Sequence, residues 1–290
     1  MTTSSAPVSS TFILGGDLPV HRLGYGTMRL VGEGAWGEPA DPAEARRVLR
    51  RAVELGVNLI DTADAYGPEI AERLIAEALH PYSKGLVIAT KGGITRQGPA
   101  RTEYVGRAGY LIQCVEMSLR RLKLERIDLY QLHRIDPRTP LEESLGALRQ
   151  MQEQGKIRHI GLSEVTPAQI EEARKIVPIV SVQNRYSLAD RRHEEALRWC
   201  DQQGIAFLPW YPIVAGRILK ADHPSARTLV QIAMHHRATV AQLLLAWLLH
   251  RSPVILPIPG TSQVAHLEEN AAAARLHLSP EDFAEIDSAA

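Results

Sequence analysis

Along nearly the whole chain, short aliphatic and β-branched runs alternate with longer segments whose apolar positions recur every three or four residues. The short runs predict eight strands, at residues 23–26, 58–61, 86–90, 127–132, 159–162, 179–182, 206–209 and 254–256. The longer segments predict helices at 43–55, 69–79, 109–122, 141–154, 167–176, 193–203 and 240–250. Gly56, Gly155 and Gly204 fall just past three of these helices, where a positive φ is easiest for glycine, and each leads into a strand. Eight βα units joined by right-handed crossovers close most simply into a (β/α)8 TIM barrel, with an open doubly wound sheet as the alternative. One barrel domain would then span residues 1–290, with 1–10 as a polar tail, a β-hairpin at 11–19 around Gly15 and Gly16 capping the floor, and extra C-terminal helices, including one at 224–236.

Composition narrows what such a barrel can do. Lys plus Arg and Asp plus Glu both number 33, so no charge excess draws the chain to nucleic acid or a membrane surface. No apolar run reaches the ~18–20 residues of a spanning helix and the first residues are polar, which predicts a cytoplasmic protein. Cys114 and Cys200 sit apart, each within an amphipathic helix, and read as buried small hydrophobes; no metal site is expected. Stability must then come from a large core, which the 45% hydrophobic content permits.

Candidate chemistry collects at predicted strand ends, the face where barrels carry their working groups. Asp61 closes the second strand, Lys91 follows the third, His133 follows the fourth, and Tyr66 lies five residues after Asp61 in DTADAYG. Carbonyl reduction needs a proton donor for the developing alkoxide. A tyrosine, with an ordinary pKa near ~10, must be made more acidic to serve near neutrality. Lys91 would favour the phenolate of Tyr66, Asp61 would hold Lys91 charged and oriented, and His133 could donate to the substrate oxygen. Each has a plainer reading: Asp61 as a loop cap, Tyr66 as a rim residue, Lys91 as a solvated charge, His133 as a core histidine.

The segments LGYGTMRL, GVNLIDTADAYG, VIATKGG, IDLYQLHRID, GKIRHIGLSE, VQNRYS and ILPIPGTSQVAHLEEN, taken in order, resemble the aldo-keto reductase family over nearly the whole chain. The resemblance puts the family's catalytic tetrad on Asp61, Tyr66, Lys91 and His133, and implies hydride transfer between NADP(H), more than NAD(H), and a small aldehyde, ketone or alcohol. No GxGxxG follows a strand, so a Rossmann cradle is not expected. The family instead lays the dinucleotide across the barrel mouth.

On the matching positions, Gly26, Thr27 and Met28 lie by the nicotinamide ribose, Asp61 also counts among the cofactor contacts, Ser163 and Gln183 lie by the carboxamide, and Trp210 stacks on the nicotinamide ring. Tyr211, Pro212, Ile213 and Arg217 belong to a loop that could wrap the pyrophosphate. Pro259, Gly260, Thr261 and Ser262 open a helix whose start suits a 2′-phosphate, with His266 facing it and Glu269 and Asn270 at the adenine. Two departures stand out: Gln263 where many relatives carry Lys or Arg, and Glu164 in place of the usual Asn after Ser163. On the substrate side, Trp36 could overhang the pocket with Tyr66 and His133, and the arginines of 96–104 and 134–138 could line its rim. A Schiff-base aldolase using Lys91 and a cofactor-binding regulatory barrel are the competing readings.

Overall fold

The computed structural model describes residues 11–99, 101–213 and 225–289. The predicted tail at 1–10 and Arg217 lie outside the described residues.

A two-stranded hairpin, β1 (Thr11–Leu14) and β2 (Leu18–His21), precedes the sheet and turns through Gly15 and Gly16 at φ 63° and 85°. Seven parallel strands follow: β3 (Tyr25–Gly26), β4 (Leu59–Asp61), β5 (Val87–Gly92), β8 (Ile127–Leu132), β9 (Ile157–Ser163), β10 (Ile179–Gln183) and β11 (Ala206–Phe207). They are hydrogen-bonded in the order β11-β10-β9-β8-β5-β4-β3. Helices α1 (Pro42–Glu54), α2 (Ile70–Leu79), α3 (Ala108–Leu122), α4 (Leu141–Glu153), α5 (Pro167–Arg174) and α6 (Glu194–Gln203) make the crossovers. Beyond them come α7 (Ser225–His235), α8 (Val240–Arg251), α9 (Val264–Ala272) and α10 (Pro280–Ser288).

The predicted eighth strand is not a regular one, yet its backbone closes the barrel. Phe207 N donates to Val254 O and Leu256 N to Phe207 O, both at 2.8 Å, while Gly24 N and Gly26 N donate to Pro257 O and Pro259 O at 2.9 and 3.3 Å. Pro257 and Pro259 have no N–H to return toward β3, so this seam carries bonds in one direction only. A second departure lies after β5. Residues read as a rim loop form an antiparallel hairpin, β6 (Ile94–Gly98) with β7 (Arg101–Tyr104), which stands over the barrel mouth.

Side chains alternate across each strand, and the barrel uses that period of two. Leu59, Val87, Ala89, Leu129, Ala206, Leu208, Leu256 and Ile258 pack together inside, over Leu14, Leu18 and Val20 of the hairpin. Ile60 and Ile88 face the other way, into α1 and α2. Asp17, in the hairpin turn, pairs with Arg158 and His159 at the start of β9, which fixes the hairpin on the floor.

Candidate active site

The inward parity that buries Leu59, Val87 and Leu129 continues up each strand and reaches Asp61, Lys91 and Gln131. The top interior layer of an otherwise apolar barrel is therefore polar. Register makes the layer level: Gly26 pairs with Asp61, Lys91 with Gln131, and Gln183 with Ser163.

Every oxygen of the Asp61 carboxylate is used. Oδ1 accepts from Lys91 Nζ at 2.6 Å, and Oδ2 accepts from Gln183 Nε2 at 2.7 Å and Gln131 Nε2 at 3.1 Å. Lys91 is 0% exposed; it also donates to Thr62 O at 2.7 Å and reaches the Tyr66 hydroxyl at 3.4 Å. Burial pulls the Lys91 ammonium toward neutrality, but Asp61 and then Tyr66 outweigh it and hold the group charged. The loop carrying Tyr66 is pinned to the sheet: Asp64 N donates to Lys91 O, Tyr66 N to Ala63 O, and Ala71 N, in the first turn of α2, back to Tyr66 O.

Tyr66 itself differs from expectation. Burial raises its pKa, and Lys91 opposes that rise without cancelling it, so the phenol is held above its ordinary value rather than drawn toward neutrality. The ammonium favours the phenolate, but ionising a phenol in a dry site costs more than that neighbour returns. His133 meets the Tyr66 ring edge-on at 6.0 Å. Burial, then Lys91, Arg134 and Arg96, push its pKa well below that of an ordinary imidazole, so the ring is neutral; its Nδ1 is buried without a partner among the described residues.

These groups floor a cleft of about 260 Å³. Of the positions expected at the cofactor, Gly26, Thr27, Met28, Ser163, Gln183, Trp210, Tyr211, Pro212, Ile213, Pro259 and Gly260 line it. Trp36 does not; the wall there is Ala35, because the extended backbone at Trp36 is tied to Gly67. Glu269, anticipated at the adenine, has its carboxylate engaged by Thr239 Oγ1 at 2.7 Å at the start of α8. The outer end of the cleft runs into the exposed first turn of α9, where Ser262, Gln263 and His266 lie on the surface, while Thr261 and Asn270 are buried. One donor of that turn is already taken: Val264 N donates to Glu44 Oε1 at 3.1 Å. Ser262 makes no hydrogen bond within the described residues.

Several contacts lay beyond the sequence reading. Gln131 could have been found by extending the inward parity of β8. Glu164 could not, since its partners are remote in sequence: its Oε1 accepts from Trp210 Nε1 at 2.7 Å and from Arg185 N at 2.6 Å, with His193 Nε2 3.5 Å from Oε2. Burial pushes the Glu164 carboxyl up, but His193, the Arg185 N–H and Trp210 outweigh it and bring it down to about 2. Glu164 adopts φ 57°, a left-handed conformation that asparagine tolerates better, and its carboxylate fixes the indole against the cleft. Arg29, Arg96 and Arg134 also line the cleft.

The Aldo/keto reductase family model matches residues 22–290. An uncharacterized oxidoreductase of Schizosaccharomyces pombe is 49% identical over 272 residues, covering 94% of this chain and 87% of its own. Pyridoxine 4-dehydrogenase of Escherichia coli is 45% identical over 285 residues, covering 96% and 98%. Among solved structures, an aldo/keto reductase from Klebsiella pneumoniae in complex with NADP and acetate superposes with a TM-score of 0.83 at 28% identity, covering 97% and 95%.

Proposed function

The chain belongs to the aldo/keto reductase family, and from that footing we propose that Tyr66 passes the proton in its reaction, with Lys91, Asp61 and His133 as its supports. The protein is an oxidoreductase that moves a hydride between NADP(H) and a small carbonyl or alcohol. The observation that carries the proposal is Lys91 Nζ, wholly buried and placed between Asp61 Oδ1 at 2.6 Å and the Tyr66 hydroxyl at 3.4 Å on the floor of the cleft.

The residues of the cleft suit an extended dinucleotide. Trp210 offers a broad ring whose orientation Glu164 fixes, and Ser163 Oγ and Gln183 Oε1 are acceptors at the strand ends. At Gly260 a Cβ would come within 2.8 Å of Gly26 O, so only glycine leaves the backbone free for close approach there. The exposed turn with Ser262 and His266 fits a phosphate. When bound, NADP(H) supplies or accepts the hydride.

In the reducing direction Tyr66, protonated in its dry site, donates to the alkoxide as it develops. Lys91 steadies the phenolate left behind, and Asp61 keeps Lys91 in place and charged. Neutral His133, protonated at Nε2 with bare Nδ1 turned inward, donates to the same oxygen and orients it. In the reverse direction the same groups take the proton back. We place the reaction in one barrel domain in the cytoplasm; the equal numbers of basic and acidic residues support a reaction without nucleic acid or a membrane surface as partner.

The test is single turnover with [4-²H]NADPH against a panel of aldehydes, ketones and vitamin B6 vitamers, the last included because of the pyridoxine 4-dehydrogenase relative. Deuterium is expected on the product carbinol carbon. Its absence, or a borohydride-trapped adduct on Lys91, would overturn the proposal.

A further inference from the structure

The charge of the cleft is lopsided. Among the described residues its one carboxylate is Asp61, already neutralised by Lys91. Against it stand Arg29, Arg96 and Arg134, none of which forms an ion pair among the described residues. Most other arginines flanking the barrel do have acidic partners, as Arg138 has in Glu103 and Asp136.

Two of the three sit where the substrate must enter. Arg96 projects from β6, in the hairpin over the mouth; its Nη2 donates to the carbonyls of Gly34 and, at 3.0 Å, Ala35, and its Nε is buried without a partner among the described residues. Arg134 follows His133 directly; its Nη1 donates to His133 O at 2.6 Å and Ser163 Oγ at 2.9 Å. Both guanidinium groups are half-buried, and both stand near enough to His133 to disfavour its protonation. Their hydrogen bonds to neutral acceptors fix their positions without an ion pair among the described residues, and the one carboxylate that acts on Arg134 through space, Glu164, lies outside the cleft lining. A half-buried cation without an anion is costly, and two held around one imidazole form a preorganised receptor for negative charge. On the proposed reading the cofactor's 2′-phosphate goes to the turn at Gly260–His266 and its pyrophosphate to the loop that begins at Tyr211, and neither segment contains Arg96 or Arg134.

We propose that Arg96 and Arg134 form an anion-recognition subsite, so that the preferred substrates are carbonyl compounds bearing a carboxylate or phosphate. The inference rests on the carbonyl-reductase reading above and extends it to substrate class. It assigns the two arginines to binding, where they steer and orient the acidic group while Tyr66 and His133 meet the carbonyl oxygen.

Matched substrates test this on the wild-type enzyme at saturating NADPH. The pairs are 4-carboxybenzaldehyde against methyl 4-formylbenzoate, and glyceraldehyde 3-phosphate against glyceraldehyde; the two pairs separate carboxylate from phosphate. In at least one pair, kcat/KM for the anion should exceed that for the neutral partner by about ten-fold or more, and the excess should shrink as salt is added. Arg96→Gln and Arg134→Gln should each reduce the charged-to-neutral ratio by about ten-fold. Equal or better use of the neutral partner in both pairs, or ratios untouched in both variants, would overturn the subsite and leave the reductase reading standing. No NADPH consumption with any of the four compounds would count against that reading, and the subsite would fall with it.

Discussion

The two ends of the cleft are built on different terms. At the strand-end floor both carboxylate oxygens of Asp61 are spoken for, Lys91 is sealed from water, and the loop carrying Tyr66 is tied by its backbone to β5 and α2. At the outer end, Ser262, Gln263 and His266 stand exposed on the first turn of α9 with few bonds to the rest of the protein. The floor meets a demand for geometry, since proton donation works only when donor and acceptor are held at fixed separation in a dry site. The rim meets a demand for affinity, which many arrangements of small polar groups can satisfy. A replacement such as Gln263 for a basic residue is tolerable at the rim; a comparable change on the floor would not be.

Substitutions on the floor and at the rim should separate the two demands. Tyr66→Phe should have the largest effect, lowering kcat by about a thousand-fold or more while NADPH still quenches Trp210 fluorescence. Equal loss of cofactor binding would show that floor and rim are not separable. Lys91→Met strips the buried Asp61 of its counter-charge and should cost about 3–5 kcal/mol of stability by urea unfolding, alongside lost turnover. A variant as stable as wild type would mean that Asp61 is protonated or solvated. Glu164→Gln joins the two regions, because Trp210 lines the cleft where we propose the cofactor binds and its anchor belongs to the barrel. Loss of a charge-assisted bond of about 1 kcal/mol or more should weaken NADPH binding several-fold, read as a fluorescence Kd. With Glu164 at about 2, this anchor stays ionised throughout neutral and mildly acidic pH and weakens only as pH falls toward that value. Gln263→Arg should have the smallest effect, tightening NADPH about three-fold and leaving NADH within two-fold.

What could be read from the sequence divides along the same line. The inward parity of LID, VIATK and DLYQLH announces the strands and the polar layer that ends them, because a period of two is a local property. The eighth strand was read by the same rule, but its prolines deny it regular pairing. The β6–β7 hairpin escaped because its exposed face, Arg101–Tyr104, carries no apolar alternation. Links such as Glu164 to Trp210 or Glu269 to Thr239 depend on how distant elements pack, and no local pattern encodes them. The direction of the Tyr66 shift was missed for a related reason: the ammonium is visible as a residue, whereas the dryness of the site emerges only from the closed barrel.

Titration of the Tyr66 phenol speaks to this most directly. With [¹³Cζ]tyrosine, its resonance can be identified by its loss in Tyr66→Phe and followed with pH in the cofactor-free enzyme. A proton retained below a raised pKa leaves the acid ready through the neutral range, so carbonyl reduction should be flat there and fall only at alkaline pH. The expected midpoint lies above ~10 and moves higher still in Lys91→Met. A midpoint near neutrality, or one indifferent to Lys91, would contradict a phenol held protonated by burial and tempered by its ammonium neighbour.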